Sequence, residues 1–148
     1  MDFSLSQEHE LIRESAYKFG QTCVLPGLAE RDREHVSDKD LLKKMGDAGF
    51  LGMAIPAKYG GTDSDYISLG IVCEELERAD STARVVMSVH SGLHSMTLMQ
   101  WGTDAQKEEW LPGLATGKLV GAFGLTEPNA GSDASSLRTN VRRDGDHY

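Results

Sequence analysis

The sequence predicts a mainly α fold that passes, over its last stretch, into the first strands of a β unit. Three observations carry that expectation. Apolar residues recur at helical spacing from residue 5 to about residue 114. Capping signatures punctuate the same stretch: Ser4 with Gln7 and Thr103 with Gln106 set a hydroxyl and an amide three residues apart, which satisfies orphan N–H groups at a helix start. After Gly117 the apolar period shortens. Residues 120–125 form a continuous apolar run, and residues 137–142 alternate, with Thr139 and Val141 on one face. The expected division is therefore a helical domain over residues 1–119 and an incomplete β unit over residues 120–148.

Each element has its own signal. The first helix opens at Ser4 and carries Leu5, His9 or Leu11, Ile12, Ala16, Phe19 and Cys23 inward. Pro26 interrupts it, and a shorter helix runs to about Arg33. Ser37 with Asp40 caps a helix bearing Leu41, Leu42, Met45 and Ala48, which Gly46 weakens and Gly49 ends. Residues 50–55 are apolar and broken by Pro56, so they read as a packed connection. Gly60-Gly61-Thr62-Asp63 is a loop ending in a cap. The helix over 64–78 turns Tyr66, Leu69, Val72, Cys73 and Leu76 inward, and Glu74, Glu75 and Glu77 read as its solvated face. Asp80 or Ser81 caps a segment over 81–100 that is apolar on more than one side, as a central buried helix would be. A helix from Thr103 to about Leu114 turns Trp110 and Leu111 inward. Asp144-Gly145 is a hairpin turn. That hairpin is just opening when the 148 residues finish, which suggests the front part of a longer polypeptide.

A chain of 148 residues suits one domain, and 15 basic against 23 acidic residues give a net charge of −8. That balance argues against a nucleic-acid backbone or an anionic membrane as the main partner. No apolar run approaches the ~20 residues that span a bilayer. The N-terminus lacks a cationic, apolar leader pattern. Cys23 and Cys73 are too few for a disulfide scaffold and read as reduced, half-buried thiols. A cytoplasmic protein is the expectation.

The chemically suggestive stretch runs from Gly121 to Asp133. An apolar run leads into it and stops at Thr126. Pro128 pushes Glu127 toward extended backbone. Asn129 and Gly131 tolerate left-handed backbone. On spacing alone this is a surface turn between two strands, or a strand-end loop suited to a planar polar ring on one side and a phosphate on the other. It lacks the three-glycine dinucleotide pattern. His90 and His94, four apart, could share a metal, but no third ligand is evident, and core histidines fit the spacing equally. Arg84 stands on an otherwise apolar helix. It either reaches solvent or clamps a buried anion, because a buried guanidinium demands an anionic partner.

Gly124-Leu125-Thr126-Glu127 followed by Ala130-Gly131-Ser132-Asp133 resembles the signature of the flavin-dependent acyl-CoA dehydrogenases. The opening Met1-Asp2-Phe3-Ser4-Leu5, Pro56-Ala57-Lys58-Tyr59-Gly60-Gly61 and Trp101-Gly102-Thr103-Asp104-Ala105-Gln106-Lys107 match the family pattern in the same order, so the resemblance covers essentially the whole chain. It implies the N-terminal helical domain of that family followed by the start of its middle β-domain. It implies FAD, with Phe123, Leu125 and Thr126 lining the isoalloxazine and Gly131 and Ser132 bonding the pyrophosphate. Ser132 would also touch the acyl-CoA substrate. The family's general base is a glutamate far downstream, so no catalytic residue is assigned here, and Glu127 belongs to the loop motif. The family is usually tetrameric and passes electrons to an electron-transfer flavoprotein. Within it, the helix around Arg84 and Ser88 resembles the glutaryl-CoA dehydrogenases, which implies that these two residues hold a distal substrate carboxylate. The competing reading is a non-catalytic helical module, truncated or serving as an assembly subunit, that binds a partner carrying the rest.

Overall fold

The computed structural model describes residues 3–148; Met1 and Asp2, which open one of the matching motifs, lie outside the described residues. Among the described residues, seven α-helices form the body. They are α1 (Gln7–Phe19), α2 (Leu28–Glu34), α3 (Leu41–Asp47), α4 (Tyr66–Ala79), α5 (Ser81–Met87), α6 (Met96–Trp101) and α7 (Asp104–Ala115). A wide π turn, Gly20–Val24, prolongs α1, and another, Ser88–Ser95, joins α5 to α6. No strand lies among the described residues before Leu114, in keeping with the helical period.

The first cap falls two residues later than expected. Ser6, not Ser4, starts α1: its hydroxyl accepts from the N–H of His9, and the His9 ring returns a bond to the Ser6 N–H. The same His9 ring reaches Asp65, the N-cap of α4, at 3.0 Å. Asp65 also accepts the Ser68 N–H at 2.7 Å, and that bond leads the causes that hold its carboxyl down to about 2. One residue thus begins α4 and pins it to the start of α1. For α3 the expected Ser37–Asp40 pair is replaced by Asp38, whose carboxylate accepts the Asp40 N–H at 2.9 Å and bonds Lys44 at 2.7 Å. The box at Thr103 and Gln106 forms as expected.

The helix α1 packs along α4, and α4 along α5. The core between them holds Ala16, Phe19, Met45, Leu51, Val72, Leu76, Ala83 and Met87, with Phe19 and Phe50 edge-to-face at 5.2 Å. A second cluster of Ile55, Tyr59, Leu111, Leu114 and Ala115 seats α7. The buried stripe of α4 is Ser68, Ile71, Val72, Glu75, Leu76 and Ala79, rotated by about one residue from the expected set, roughly 100°. Covering by both α1 and α5 sets that phase. It leaves Tyr66 outside and draws in Glu75, whose side chain is only 2% exposed. Glu75 is therefore not on a solvated face. A buried carboxylate needs partners, and Glu75 has Arg78 at 3.3 Å and Arg13 at 3.9 Å. Trp110 also faces outward, leaving Leu111 to fill the core.

The segment over 81–101 is buried on one side only. Ala83, Met87, His90, Ser91 and Ser95 face in, whereas Val85 and Leu93 are exposed. The two expected strands are not formed. Residues 119–125 and 137–142 lie outside any ladder, and the only pairings nearby among the described residues are the isolated bridges Glu127–Ala130 and Asp144–His147, the latter around Gly145 with positive φ. A strand needs a neighbour to receive its hydrogen bonds, and neither segment has one among the described residues. No helix among the described residues is long and apolar enough to cross a membrane.

Gly46 weakens α3 by propensity, and the structure supplies the reason for its presence. A Cβ there would sit 2.2 Å from the Thr116 carbonyl oxygen, where α3 meets the end of α7. An unhindered Gly→Ala change in a helix gains up to ~1 kcal/mol, while forcing atoms into a packed contact costs about 1–3 kcal/mol or more. The clash wins. Gly46→Ala is expected to destabilise the chain by a net ~1–2 kcal/mol in urea unfolding; a rise in stability would show that the α3–α7 contact is loose.

Candidate functional site

The helical body hands over to the loop region through close contacts at Leu119 and Gly121. After α7 the chain turns at Gly117, and Leu119 N–H donates to the Gly113 carbonyl at 3.0 Å. Gly121 then lies directly on the wide turn Ser88–Ser95. Its N–H donates to His90 Nδ1 at 3.1 Å, and a Cβ added to it would sit 2.7 Å from His94 Nδ1. His90 Nε2 bonds the Leu114 carbonyl at 2.9 Å. Both ring nitrogens are used, so His90 is a satisfied core histidine. Burial pushes its pKa below the ordinary histidine value, which keeps the ring neutral.

Beyond Gly121 the chain runs along the surface. Phe123 and Leu125 are 40% and 44% exposed, and Thr126 lies open beside them. Glu127 and Ala130 exchange two backbone bonds of 3.1 Å around Pro128-Asn129, and Ala130 buries itself. Asn129 and Gly131 tolerate left-handed backbone but neither uses it; the paired backbone bonds close this turn without it. Gly131 and Ser132 come next, exposed, and a Cβ at Gly124 or Gly131 would meet nothing within 4 Å. Asp133 accepts the hydroxyls of Ser135 and Ser136, which hold its carboxyl below the usual range.

Glu127 does more than the motif suggests. Its carboxylate accepts the backbone N–H groups of Arg138 and Thr139, both at 2.8 Å, and the Thr139 hydroxyl. The Thr139 hydroxyl leads the causes that lower its pKa. It is a staple between the loop and the segment beyond. Partners 11 and 12 residues away carry no periodic signal that a sequence could show.

Arg84 does not reach a buried anion. Its Nε donates to Glu77 on α4 at 2.5 Å, in a pair whose side chains are 36% and 45% exposed. This bond is the first cause that lowers the Glu77 carboxyl. Ser88, one turn on, donates to the Val85 carbonyl at 3.1 Å. No hydrogen bond or ion pair among the described residues joins Arg84 or Ser88 to residues 123–132. A groove of about 880 Å³ beside α2, α3 and α5 is lined by Leu41, Leu42, Thr82, Val86 and Val120, and includes neither set. The open strip at 123–126, apolar on two residues and hydroxylic on one, fits a planar aromatic ring, and the uncrowded Gly131-Ser132 pair fits an anion.

By fold this is a helical domain that carries a partly apolar loop along its surface. The chain belongs to the acyl-CoA dehydrogenase family: the family profile for the acyl-CoA dehydrogenase N-terminal domain matches residues 6–118. The chain is 39% identical over 148 residues to the short-chain specific acyl-CoA dehydrogenase of Clostridium acetobutylicum, covering all of this chain and 39% of that protein. Butyryl-CoA dehydrogenase from Megasphaera elsdenii superposes with a TM-score of 0.87 at 37% identity, over 94% of this chain and 37% of that one. A glutaryl-CoA dehydrogenase from Mycobacterium smegmatis in complex with FADH2 gives 0.90 at 37% identity, over 95% and 36%. The chain thus spans under two fifths of the length of these relatives.

The staple can be tested directly. In Glu127→Ala the amides of Arg138 and Thr139 lose their acceptor, and their hydrogen exchange is expected to rise by about tenfold or more. Unchanged exchange at both amides would mean that other groups hold this segment.

Proposed function

We propose that these residues are the front part of a FAD-dependent acyl-CoA dehydrogenase that introduces an α,β double bond into a short dicarboxylic acyl-CoA, glutaryl-CoA being the best fit. In this reading residues 1–119 are its N-terminal helical domain and residues 120–148 begin its middle β-domain. The observation that carries the proposal is the uncovered strip Phe123, Leu125 and Thr126 in a chain that aligns with a family member over all 148 residues.

When bound, FAD supplies the acceptor for the β-hydride of the thioester. The residues here bind and orient. Phe123 and Leu125 offer apolar surface to the planar ring, and Thr126 offers its hydroxyl to the ring edge. Gly131 contributes a backbone N–H and Ser132 a hydroxyl to the pyrophosphate, with Ser132 also facing the CoA part of the substrate. The base that removes the α-proton comes from outside these residues; Glu127, occupied by three donors, is unsuited to it. The complete enzyme is proposed to be a cytoplasmic homotetramer that delivers electrons to an electron-transfer flavoprotein.

The substrate assignment rests on Arg84 and Ser88. Glu77 engages Nε, which orients the guanidinium and leaves its two Nη groups without a hydrogen-bond partner among the described residues. Those two groups form the fork that grips a carboxylate. The distal carboxylate of a five-carbon diacid meets this fork, and Ser88, one turn on at the start of the wide turn, adds a bond when its hydroxyl turns from the Val85 carbonyl to the substrate.

Two substitutions in the complete enzyme test the two halves of the proposal. Thr126→Val is expected to perturb the flavin absorption spectrum and lower turnover with the fold intact, since one lost hydrogen bond is worth about 1 kcal/mol. An unchanged spectrum and rate would remove Thr126 from the flavin site. Arg84→Met is expected to lower kcat/KM for glutaryl-CoA by roughly a hundredfold while sparing valeryl-CoA, because an arginine–carboxylate pair covered by substrate is costly to break. Equal losses for both substrates would make Arg84 structural and leave the acyl chain open.

A further inference from the structure

We infer that His90 is a positioning residue for the loop over 121–132: its neutral imidazole, protonated at Nε2, latches the start of that loop to the end of α7. The functional part of this inference rests on the reading of the loop as flavin-facing. The geometry admits one protonation state. Leu114 O can only accept, so Nε2, 2.9 Å away, must carry a proton. The Gly121 N–H can only donate, so Nδ1, 3.1 Å away, must be bare. The opposite tautomer fails at both contacts. An imidazolium keeps the Leu114 bond and sets its second N–H against that of Gly121. The two bonds span the end of α7 and the first residue of the loop.

The turn that carries His90 is itself held. Ser95 Oγ donates to the His90 carbonyl at 2.9 Å, and Ser91 Oγ donates to Leu51 O at 3.4 Å, on the turn Phe50–Gly52. Wide turns of this kind recur where a helix must aim side chains at a site. Gly121 approaches so closely that a side chain there would collide with His94. The groups facing His90 are therefore the Leu114 carbonyl from α7, the Gly121 N–H from the loop, and His94, Ser91 and Ser95 from its own turn. Of these His94 is titratable, and its charge opposes protonation of His90, adding to burial.

The direction of the pH effect is set by that environment. The folded protein holds His90 neutral below the ordinary histidine value of 6.5, where an unfolded chain takes up the proton. Folding stability is therefore undiminished by His90 at neutral pH and falls as pH drops from 6.5 toward the folded value, while the latch itself holds until pH passes that value; neither responds to a rise in pH.

Nitrogen-15 spectra of the chain test the tautomer without any substitution: Nε2 is expected to bear the proton and Nδ1 to be bare. Two variants then separate the nitrogens. His90→Asn places an amide oxygen near the position of Nδ1 and keeps an acceptor for Gly121. His90→Gln reaches toward Leu114 with an amide N–H and gives up the Nδ1 acceptor. Hydrogen exchange at the Gly121 amide is expected to stay within about threefold of wild type in the first and to rise about tenfold or more in the second. In the complete enzyme loaded with FAD, flavin dissociation should keep the same order. A proton on Nδ1, or equal Gly121 exchange in the two variants, overturns the latch. Equal flavin loss in both variants despite unequal Gly121 exchange overturns the positioning role alone. A wild-type enzyme that retains no flavin overturns the flavin reading of the loop and the positioning role with it, while the tautomer and the Gly121 exchange still decide the latch.

Discussion

Asp80 is a single residue of extended backbone, φ −161° and ψ 121°, between two helices. Its N–H closes α4 on the Leu76 carbonyl at 2.8 Å, and its carboxylate opens α5 by accepting the Thr82 N–H at 2.8 Å. With one residue between them, the helices cannot drift apart, and α5 folds back along α4. Helical phase does the rest. Ala83 and Met87 enter the core beside Val72 and Leu76, Arg84 comes opposite Glu77, and His90 falls one turn beyond Met87. Every candidate group on the second helix is aimed by this corner.

The interior polar groups fall into two kinds. Glu75 is met by two guanidinium groups, one from α1 and one a turn along α4. His90 stays neutral because burial disfavours its charge and both its contacts ask for one tautomer. The first ties helix to helix inside the body. The second ties the body to the loop that begins at Gly121. Charge on Arg84 is treated differently again: a single carboxylate half in solvent balances it, which is worth little in stability but sets the orientation of the fork.

Among the exposed apolar side chains, Val120, Phe123 and Leu125 follow one another along the piece of chain around and beyond Gly121, and Val85 and Leu93 lie on α5 and the wide turn after it. Single exposed apolar residues are ordinary, whereas a run of them is what the proposed binding surface requires. In the proposed enzyme the loop residues meet the flavin. The same reasoning accounts for the missing strands, since residues 119–125 and 137–142 have no ladder partner among the described residues.

Local signals settled much of this protein from the sequence alone. Period 3.6 placed the helices, Thr103 and Gln106 placed a cap, Pro26 and Gly117 placed breaks, and the motif from Gly124 to Asp133 pointed to the family, because each of these acts within a turn or two of chain. What escaped depends on which neighbour covers which face. The rotation of α4 that buries Glu75, the shift of the first cap to Ser6 with His9 reaching Asp65, and the outward turn of Trp110 come from packing between helices. The role of His90 left the least trace in the sequence. Two histidines four apart look alike there, and only the approach of Leu114 from one side and Gly121 from the other, 24 and 31 residues away, tells the bonded ring from its neighbour. Hydrogen bonds between distant backbone groups leave no period behind, so tertiary structure alone decided them.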